Sequence, residues 1–487
     1  MYIYEKSKMP FPVIPGHEEW TELYDTAWKT AFKKIEYIDK PGWKPQLACM
    51  PGSGIIWQWD CCFMTFITNY SNGTISAFNN LDNLYRLRRE SDGYMSMAYE
   101  IETEKPAYGE RINPPLMAWA EWEYYMVSGD SSRFERVLPA LEGIYSFIEN
   151  NRRRNCGLYW FEDSGSAGMD NAPRAGYFST KLDGCDVCHV DLACQQALSA
   201  KCLSQIYGVL GNAEKQKFYS SEHERICELV NRYHWSEKSG WYFDFFARDD
   251  ASKKVKLINS KTVAAFWAII SGVAKGQRLE RMIKHMFDEN EFYTLVPFAS
   301  LSKDDPNYDE KGGYWLGSVW PPTNYAAIRG LKDNGYPELA REAAIRYLEG
   351  MCKVAEDPAY GSIWEAYAPE AYRPATAESG VIVRANFVGW GGLAPITMLI
   401  ENILGLTFRA EENTVHFNLF PETIGGLKNM QFCGGKVSVL CTDYYPAMGR
   451  STVEVEAEKP FRLIVKTNYL WEPVFIDVEP GKHSYKI

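Results

Sequence analysis

Two acidic side chains, far apart in the sequence, are the candidates for chemistry. Asp170 lies among small residues in SAGMDNAPRAG, and Glu365 lies in YGSIWEAYAPEAYRP, where Trp364 and Tyr367 flank it. Two carboxyl groups across an aromatic-lined cleft suit glycosidic cleavage: one donates a proton to the leaving oxygen, and the other activates water or attacks the sugar directly. Apolar surroundings raise a carboxyl pKa and favour an acid that is still protonated near neutral pH.

A tryptophan–acid element gives the next candidates. In GIIWQWDCCFM, Trp57 and Trp59 precede Asp60 at the start of an apolar helical pattern. Indole rings stack on the C–H faces of sugars, and a carboxylate can accept bonds from two hydroxyls, so the element suits a sugar site. Alternatively, Asp60 only caps the helix while the tryptophans pack in the core.

Further polar and aromatic residues stand where helices are expected to begin. Asn113 precedes paired prolines in ERINPPLMAWAEWEYY, where it could cap the helix or face a binding cleft. GGYWLGSVWPPTNYAAIRGL repeats the arrangement with Trp315, Gly317 and Trp320, and RANFVGWGGL places Trp390 between glycines. These segments predict that aromatic rings surround the opening of one binding cleft.

The residues next to Asp170 have a predicted role as well. Asn171 and Arg174 could orient a substrate or contact its hydroxyls, while the small residues around them would allow it to approach closely. Trp364 and Tyr367 would provide the apolar setting for Glu365.

Apolar periodicity and turn signals predict twelve helices before about residue 404. The expected spans are 17–35, 57–70, 74–89, 113–127, 132–152, 187–207, 212–234, 260–270, 277–288, 320–332, 337–353 and 386–403. Short turns and loops of about twenty residues or more alternate between them, so the long loops should emerge at one end. The pattern favours a closed (α/α)6 barrel over residues 1–404, with an open helical solenoid as the alternative.

After Leu404 the pattern changes to period two, which is typical of strands. The segments TVHFNLF, GKVSVLC, STVEVEA, FRLIVKT and PVFIDV alternate or are rich in β-branched residues. They predict a small antiparallel, β-sandwich-like domain over residues 405–487.

The composition excludes several classes of protein. The net charge of −11 argues against a nucleic-acid surface, and no apolar run approaches membrane-spanning length. The N-terminus has no signal-peptide pattern, so we expect a cytoplasmic protein. Cys185, Cys188 and His189 have metal-ligand spacing, but the sequence has no second Cys/His pair. We therefore predict no metal and no cofactor.

Several of these motifs resemble those of one enzyme family. SGSAGMDNAPR is similar to the general-acid segment of glycoside hydrolase family 63, in the trehalase-like clan, and IWEAY to its general-base segment. IIWQWD resembles the element that holds the sugar being cleaved. The resemblance implies an (α/α)6 barrel and an inverting hydrolase, with Asp170 as acid and Glu365 as base, acting on α-glucosides or, in some members, on mannosyl- or glucosylglycerate.

Other functions stay open at this point. A non-catalytic carbohydrate-binding protein would not need the two isolated acids, and a phosphorylase would require phosphate. Epimerases on such barrels use paired histidines, whereas only His189 lies near a predicted loop end. We expect an oligosaccharide or small glycoside as substrate; the sequence does not identify the sugar, and the oligomeric state cannot be read from it.

Overall fold

A computed structural model describes residues 2–174, 187–247, 256–420 and 424–487. The twelve predicted helices are present in this part of the chain. They are α1 (Glu18–Lys33), α2 (Gln58–Thr68), α3 (Asn79–Leu87), α4 (Met117–Ser128), α5 (Ser132–Asn151), α6 (Val190–Val209), α7 (Ala213–Tyr233), α8 (Trp267–Ile270), α9 (Gln277–Met286), α10 (Pro321–Asp333), α11 (Pro337–Glu356) and α12 (Leu393–Ile403).

Some helices start later than predicted, for local reasons. The paired prolines after Asn113 delay α4 to Met117. Asn386 has a φ of +52°, in the left-handed region, so the helix expected from residue 386 begins at Leu393 and adopts π-type geometry. A 3-10 turn at Val263–Phe266 replaces the first part of the predicted eighth helix.

The even-numbered helices form a closed ring of contacts. Among the described residues, α2 contacts α4, α4 contacts α6, α6 contacts α8, α8 contacts α10, α10 contacts α12, and α12 contacts α2. Every residue of α2 and α12 is buried, as expected for helices that are enclosed on all sides. The odd-numbered α7, in contrast, buries few side chains. The long loops lead into the N-termini of the ring helices.

Strands near the two ends of the chain form two sheets. They are β1 (Phe11–Val13), β2 (Leu406–Arg409), β3 (Thr414–Asn418), β4 (Gly425–Phe432), β5 (Gly435–Tyr445), β6 (Arg450–Ala457), β7 (Phe461–Lys466), β8 (Val474–Val478) and β9 (Gly481–Lys486). One sheet has the order β1-β4-β5-β6-β9 and the other β2-β3-β7-β8. Phe432 of the first sheet contacts the rings of Phe408 and Phe461 of the second, so apolar faces of the two sheets meet.

Two features of this region differ from the sequence prediction. The strands are not all antiparallel, because β3 pairs with β7 in parallel. Parallel neighbours need a crossover connection, and the intervening β4, β5 and β6 provide it from the opposite sheet. In addition, β1 from the N-terminal segment pairs with β4, so residues 405–487 do not build the sheet alone. The exact domain boundary near residue 404 stays a prediction.

Short strands also lie in the loops between helices. Ile55–Trp57 pairs with Ala98–Glu100 and leads directly into α2. This pairing ties the loop before α2 to the loop before α4, and both loops contribute to the site described below.

Candidate active site

A cavity of about 270 Å³ lies where five of the long loops meet the N-terminal turns of the ring helices. Most of the residues predicted to act on a substrate line it. They are Asp170, Glu365, Trp57, Trp59, Asp60, Asn113, Trp315, Trp320 and Trp390. The structure thus brings Asp170 and Glu365, which are far apart in sequence, to one cavity.

Asp170 presents its carboxyl group to this cavity. The residue is exposed to the cavity, although protein atoms surround its carboxyl group. This surrounding protein raises the pKa of Asp170 to about 6, and the negative charge of Glu365 is the second cause. In the part of the chain that the structure describes, no side chain donates a hydrogen bond to it. Such a setting favours the protonated form of an acid.

The loop that carries Asp170 is fixed from two sides. Asp163 accepts hydrogen bonds from the backbone N–H of Ser166 (2.8 Å) and from its hydroxyl (3.0 Å), and it forms an ion pair with Arg111 (2.6 Å). The side-chain amide of Asn113 donates a hydrogen bond to the Ser166 carbonyl (2.9 Å) and accepts one from the backbone N–H of Trp59 (3.4 Å). The amide of Asn113 therefore ties this loop to the first turn of α2.

Glu365 is held differently, because a cation contacts it. Its side chain is only 3% exposed, and the Nη1 of Arg384 donates to its Oε1 (2.9 Å) and Oε2 (3.1 Å). Burial raises the pKa of Glu365, while the charge of Arg384 opposes that rise. The two carboxyl groups therefore share one cavity but differ in their charged neighbours.

A third carboxyl group, Asp60, lies in the first turn of α2 at the same cavity. Burial raises its pKa to about 7, and the negative charge of Glu365 acts in the same direction. The thiol of Cys49 lowers the pKa of Asp60 in part. Although Asp60 lies near the helix N-terminus, it faces the cavity, so its position is compatible with binding a hydroxyl-rich ligand.

Aromatic rings form the walls. Trp315 and Trp320 stack with their planes 4° apart and their ring centroids 4.4 Å apart, and Trp390 meets Trp320 edge-on at 5.9 Å. Trp57 stacks on Tyr108 at 5.3 Å on another side. Broad apolar faces beside carboxyl groups are the composition expected of a sugar-binding pocket.

Four of the predicted residues support the site without lining the cavity. The side-chain amide of Asn171 donates a hydrogen bond to the Gly313 carbonyl (2.9 Å) and accepts one from the backbone N–H of Trp315 (2.8 Å). A Cβ at Gly317 would lie 2.4 Å from the Asp309 carbonyl oxygen, so only glycine fits there.

The remaining two of the four lie around Glu365. The buried hydroxyl of Tyr367 accepts a hydrogen bond from the backbone N–H of Trp364 (3.1 Å). This bond fixes the turn that carries the Glu365 carboxylate. Trp364 itself is partly buried and packs against the core rather than lining the cavity.

Arg174, predicted to contact the substrate, instead belongs to a buried ion cluster. Its guanidinium donates to both carboxylate oxygens of Asp191 (2.6 and 2.7 Å) and to both of Asp244 (2.7 and 2.8 Å). The fifth N–H points to the sulfur of Met169, so all five donors are used inside the protein. The predicted substrate contact is wrong, because these two acids, distant in sequence, turn the side chain away from the cavity.

Replacement of Arg174 by Met is expected to lower the free energy of unfolding by about 3–5 kcal/mol, because it leaves two buried carboxylates without their cation. The urea midpoint measures the effect. Arg462→Met, which removes an exposed ion pair with Asp477, is the control and should leave the midpoint unchanged. Equal midpoints for the two variants would contradict this interpretation of the cluster.

The structure adds residues that the sequence analysis missed, chiefly Arg384 and Tyr314. Tyr314 stands beside the chosen Trp315 and has a φ of +66°, a conformation that residues other than glycine rarely adopt and that clusters at functional sites. Arg384 follows three apolar residues in VIVRANF, which give no local sign of a site. Only its pairing with Glu365 identifies it.

The motif of Cys185, Cys188 and His189 lies partly within the described residues. Cys185 lies outside the described residues. Within those residues, no group of three or more His, Cys, Asp and Glu side chains is arranged to hold a metal ion. No helix in the described ranges combines the length and the apolar character that crossing a bilayer requires.

Two carboxyl groups with raised pKa values, set among tryptophans on loops above a ring of helices, can perform glycoside hydrolysis. Comparison with known proteins leads to the same class. Residues 57–379 match the model of the mannosylglycerate hydrolase MGH1-like glycoside hydrolase domain. The match covers more than half of the chain, and the chain belongs to this family of GH63, trehalase-like glycosidases, as the motifs predicted.

Individual relatives are more distant. An uncharacterized protein of Borreliella burgdorferi is 29% identical over 445 residues, covering 89% of this chain and 90% of the relative. The mannosyl-oligosaccharide glucosidase of Saccharomyces cerevisiae is 24% identical over 61% of this chain, which spans only 35% of the yeast enzyme. The structure of a GH63 mannosylglycerate hydrolase from Thermus thermophilus, in complex with glucose, matches 77% of this chain and 100% of its own, with a TM-score of 0.63 and 18% identity.

Proposed function

We propose that the protein is an inverting glycoside hydrolase that cleaves an α-linked glycoside, with an α-glucoside as the first candidate substrate. Asp170 is the general acid and protonates the leaving oxygen. Glu365 is the general base and deprotonates a water on the opposite face of the sugar. No metal or organic cofactor takes part.

The observation that carries this proposal is the different setting of the two carboxyl groups within one cavity. Asp170, with its pKa raised to about 6 and without a hydrogen-bond donor from the described side chains, is suited to carry a proton. Glu365, against Arg384, is suited to remain ionised and accept one. For inversion, the two carboxyl groups should be roughly 6.5–9.5 Å apart to leave room for the water.

The aromatic walls and Asp60 would hold the sugar that is cleaved. In this proposal Trp59 and Trp390 face the ring, Asp60 accepts its hydroxyls, and Trp57, Trp315 and Trp320 complete the pocket. The ring of contacts from α2 to α12 supports a closed (α/α)6 barrel beneath the pocket rather than an open solenoid. A closed ring is rigid, which suits a site assembled from loops.

The α linkage in this proposal follows from the family that the motifs resemble, and the glucose unit agrees with the name of one relative. The yeast relative is named as a glucosidase of mannosyl-oligosaccharides, and the Thermus protein is described as a mannosylglycerate hydrolase. Since each relative differs greatly from this chain, glycosylglycerates and other α-linked sugars belong in the same test.

Proton NMR of the purified protein with α-linked gluco-, manno- and galacto-disaccharides and glycosylglycerates, without added phosphate, tests the proposal. Initial release of the β-anomer, absent in Asp170→Asn, is expected. Initial release of the α-anomer would contradict inversion. Turnover only on addition of phosphate would indicate a phosphorylase, and sugar binding without turnover would indicate a binding protein.

Gly168→Ala is expected to lower kcat/KM about tenfold or more, because the loop that carries Asp170 packs directly on Trp59. Gly168 has a φ of +74°, and an added Cβ would lie 3.2–3.4 Å from carbons of the Trp59 ring. Gly211→Ala is the matched control, since Gly211 has a φ of +71° with no atom within 4 Å of the added Cβ. Both variants should lose similar stability, of about 1–2 kcal/mol. Unchanged kcat/KM in Gly168→Ala would contradict the tight packing of this loop.

A further inference from the structure

The loop between α11 and α12 holds Glu365 and Arg384 side by side through their backbones. The Glu365 N–H donates to the Arg384 carbonyl (2.9 Å), and the adjacent residues Trp364 and Ala385 form a β-bridge. The Arg384 N–H in turn donates to Oε2 of Glu365 (3.2 Å). These backbone contacts do not depend on the side chain at position 384.

The guanidinium adds a separate contact. Its Nη1 donates to both carboxylate oxygens of Glu365, at 2.9 and 3.1 Å. The Glu365 side chain is 3% exposed, whereas that of Arg384 is 56% exposed, so the cation reaches the buried carboxylate from the cavity. Substitution at position 384 would therefore remove the charge while the backbone bonds that shape the turn remain.

We propose that Arg384 is a positioning residue for the reaction: its guanidinium favours the ionised form of the Glu365 carboxylate and holds it in one orientation, ready to accept a proton from water. This inference rests on the proposed function, which assigns the general base to Glu365. It also assigns a role to a cavity residue that the motifs did not indicate.

The other titratable groups that line the cavity with Glu365 and Arg384 are acidic or phenolic. Asp60 and Asp170 face the same cavity, where the negative charge of Glu365 raises the pKa of each, and the side chain of Tyr314 lowers the pKa of Glu365. Among the described residues that line the cavity, Arg384 is the one basic side chain. Without it, burial would favour a protonated Glu365.

The expected direction follows from the role of the base. A general base acts only in its ionised form, so the acidic limb of the pH profile reports its pKa in the free enzyme. Arg384 lowers the pKa of Glu365, and loss of Arg384 therefore raises it. The acidic limb should then move to higher pH, and activity should be lost first at the lowest pH values where the wild-type protein is active.

The test compares the pH dependence of kcat/KM in the wild-type protein and in Arg384→Met, on the substrate found by the NMR panel. The acidic limb should move upward by about one to three pH units, the usual effect of an adjacent opposite charge. Arg462→Met is the matched control, since Arg462 is a similarly exposed arginine (52%) paired with an acid outside the cavity, and its profile should coincide with that of the wild-type protein.

A folded Arg384→Met variant whose acidic limb coincides with the wild-type limb would overturn the proposal. If that variant does not fold, Arg384→Lys decides. Lysine keeps the charge but not the planar donor group, so kcat should fall severalfold with little change in KM, and an unchanged kcat would overturn the proposal. Glu365→Gln distinguishes failure of the proposed function from failure of the role of Arg384. Wild-type turnover in that variant would refute the assignment of Glu365 as the base.

Discussion

Replacement of Asp170 by Asn is expected to lower kcat by about 10²–10⁴-fold on a natural glycoside, the usual contribution of a positioned acid. The amide is close to the carboxyl in size and cannot donate a proton to the leaving oxygen. Because few contacts hold the Asp170 side chain, the fold should be intact, and thermal unfolding would show this. Near-normal turnover would refute the assignment of the acid.

The leaving group gives a sharper test of the same assignment. Fluoride leaves without protonation, so an α-glycosyl fluoride of the correct sugar should restore much of the turnover of Asp170→Asn. The wild-type pH profile is a second check. Because the acid must be protonated and the pKa of Asp170 is raised to about 6, kcat/KM should fall as pH rises above about 6. A loss of activity on the fluoride equal to that on the glycoside would contradict the role of Asp170 as acid.

Local patterns predicted the helical part of the fold because helix periodicity and turn chemistry act over a few residues. The alternation of short and long connections then predicted which loops would lie together. The strand Phe11–Val13 was not predicted, since three residues with an internal proline carry no strand signal and their partner is Gly426–Lys428 at the far end of the chain. The parallel pairing of β3 with β7 was missed for the same reason, because register between distant strands is a tertiary property.

In the candidate site, too, local motifs predicted some residues, while those that depend on distant partners were missed or assigned wrongly. Asp170, Glu365 and the tryptophans were predicted because isolated acids and aromatic residues in loops are unusual locally. Arg174 was assigned wrongly because the direction of its side chain depends on Asp191 and Asp244, which no short motif contains. Arg384 was missed because its partner lies 19 residues away across a β-bridge. Sequence motifs therefore predicted which segments meet, whereas the pairing of charges had to come from the structure.

Replacement of Glu365 by Gln is expected to reduce kcat by a similar factor of about 10²–10⁴, but on every substrate. The amide cannot deprotonate water, and water must attack whichever leaving group departs. An α-glycosyl fluoride should therefore fail to rescue Glu365→Gln, in contrast to Asp170→Asn.

The measurement is kcat on the glycoside and on the fluoride for both variants, with folding checked by thermal unfolding. Glu365 accepts three hydrogen bonds from Arg384, and a glutamine oxygen can keep some of them, so the fold should survive the substitution. Rescue of Glu365→Gln by the fluoride, with Asp170→Asn inactive on it, would exchange the two roles. Rescue of neither variant would leave Asp170 without support as the acid, because a carboxyl group whose function is proton donation becomes dispensable when the leaving group needs no proton.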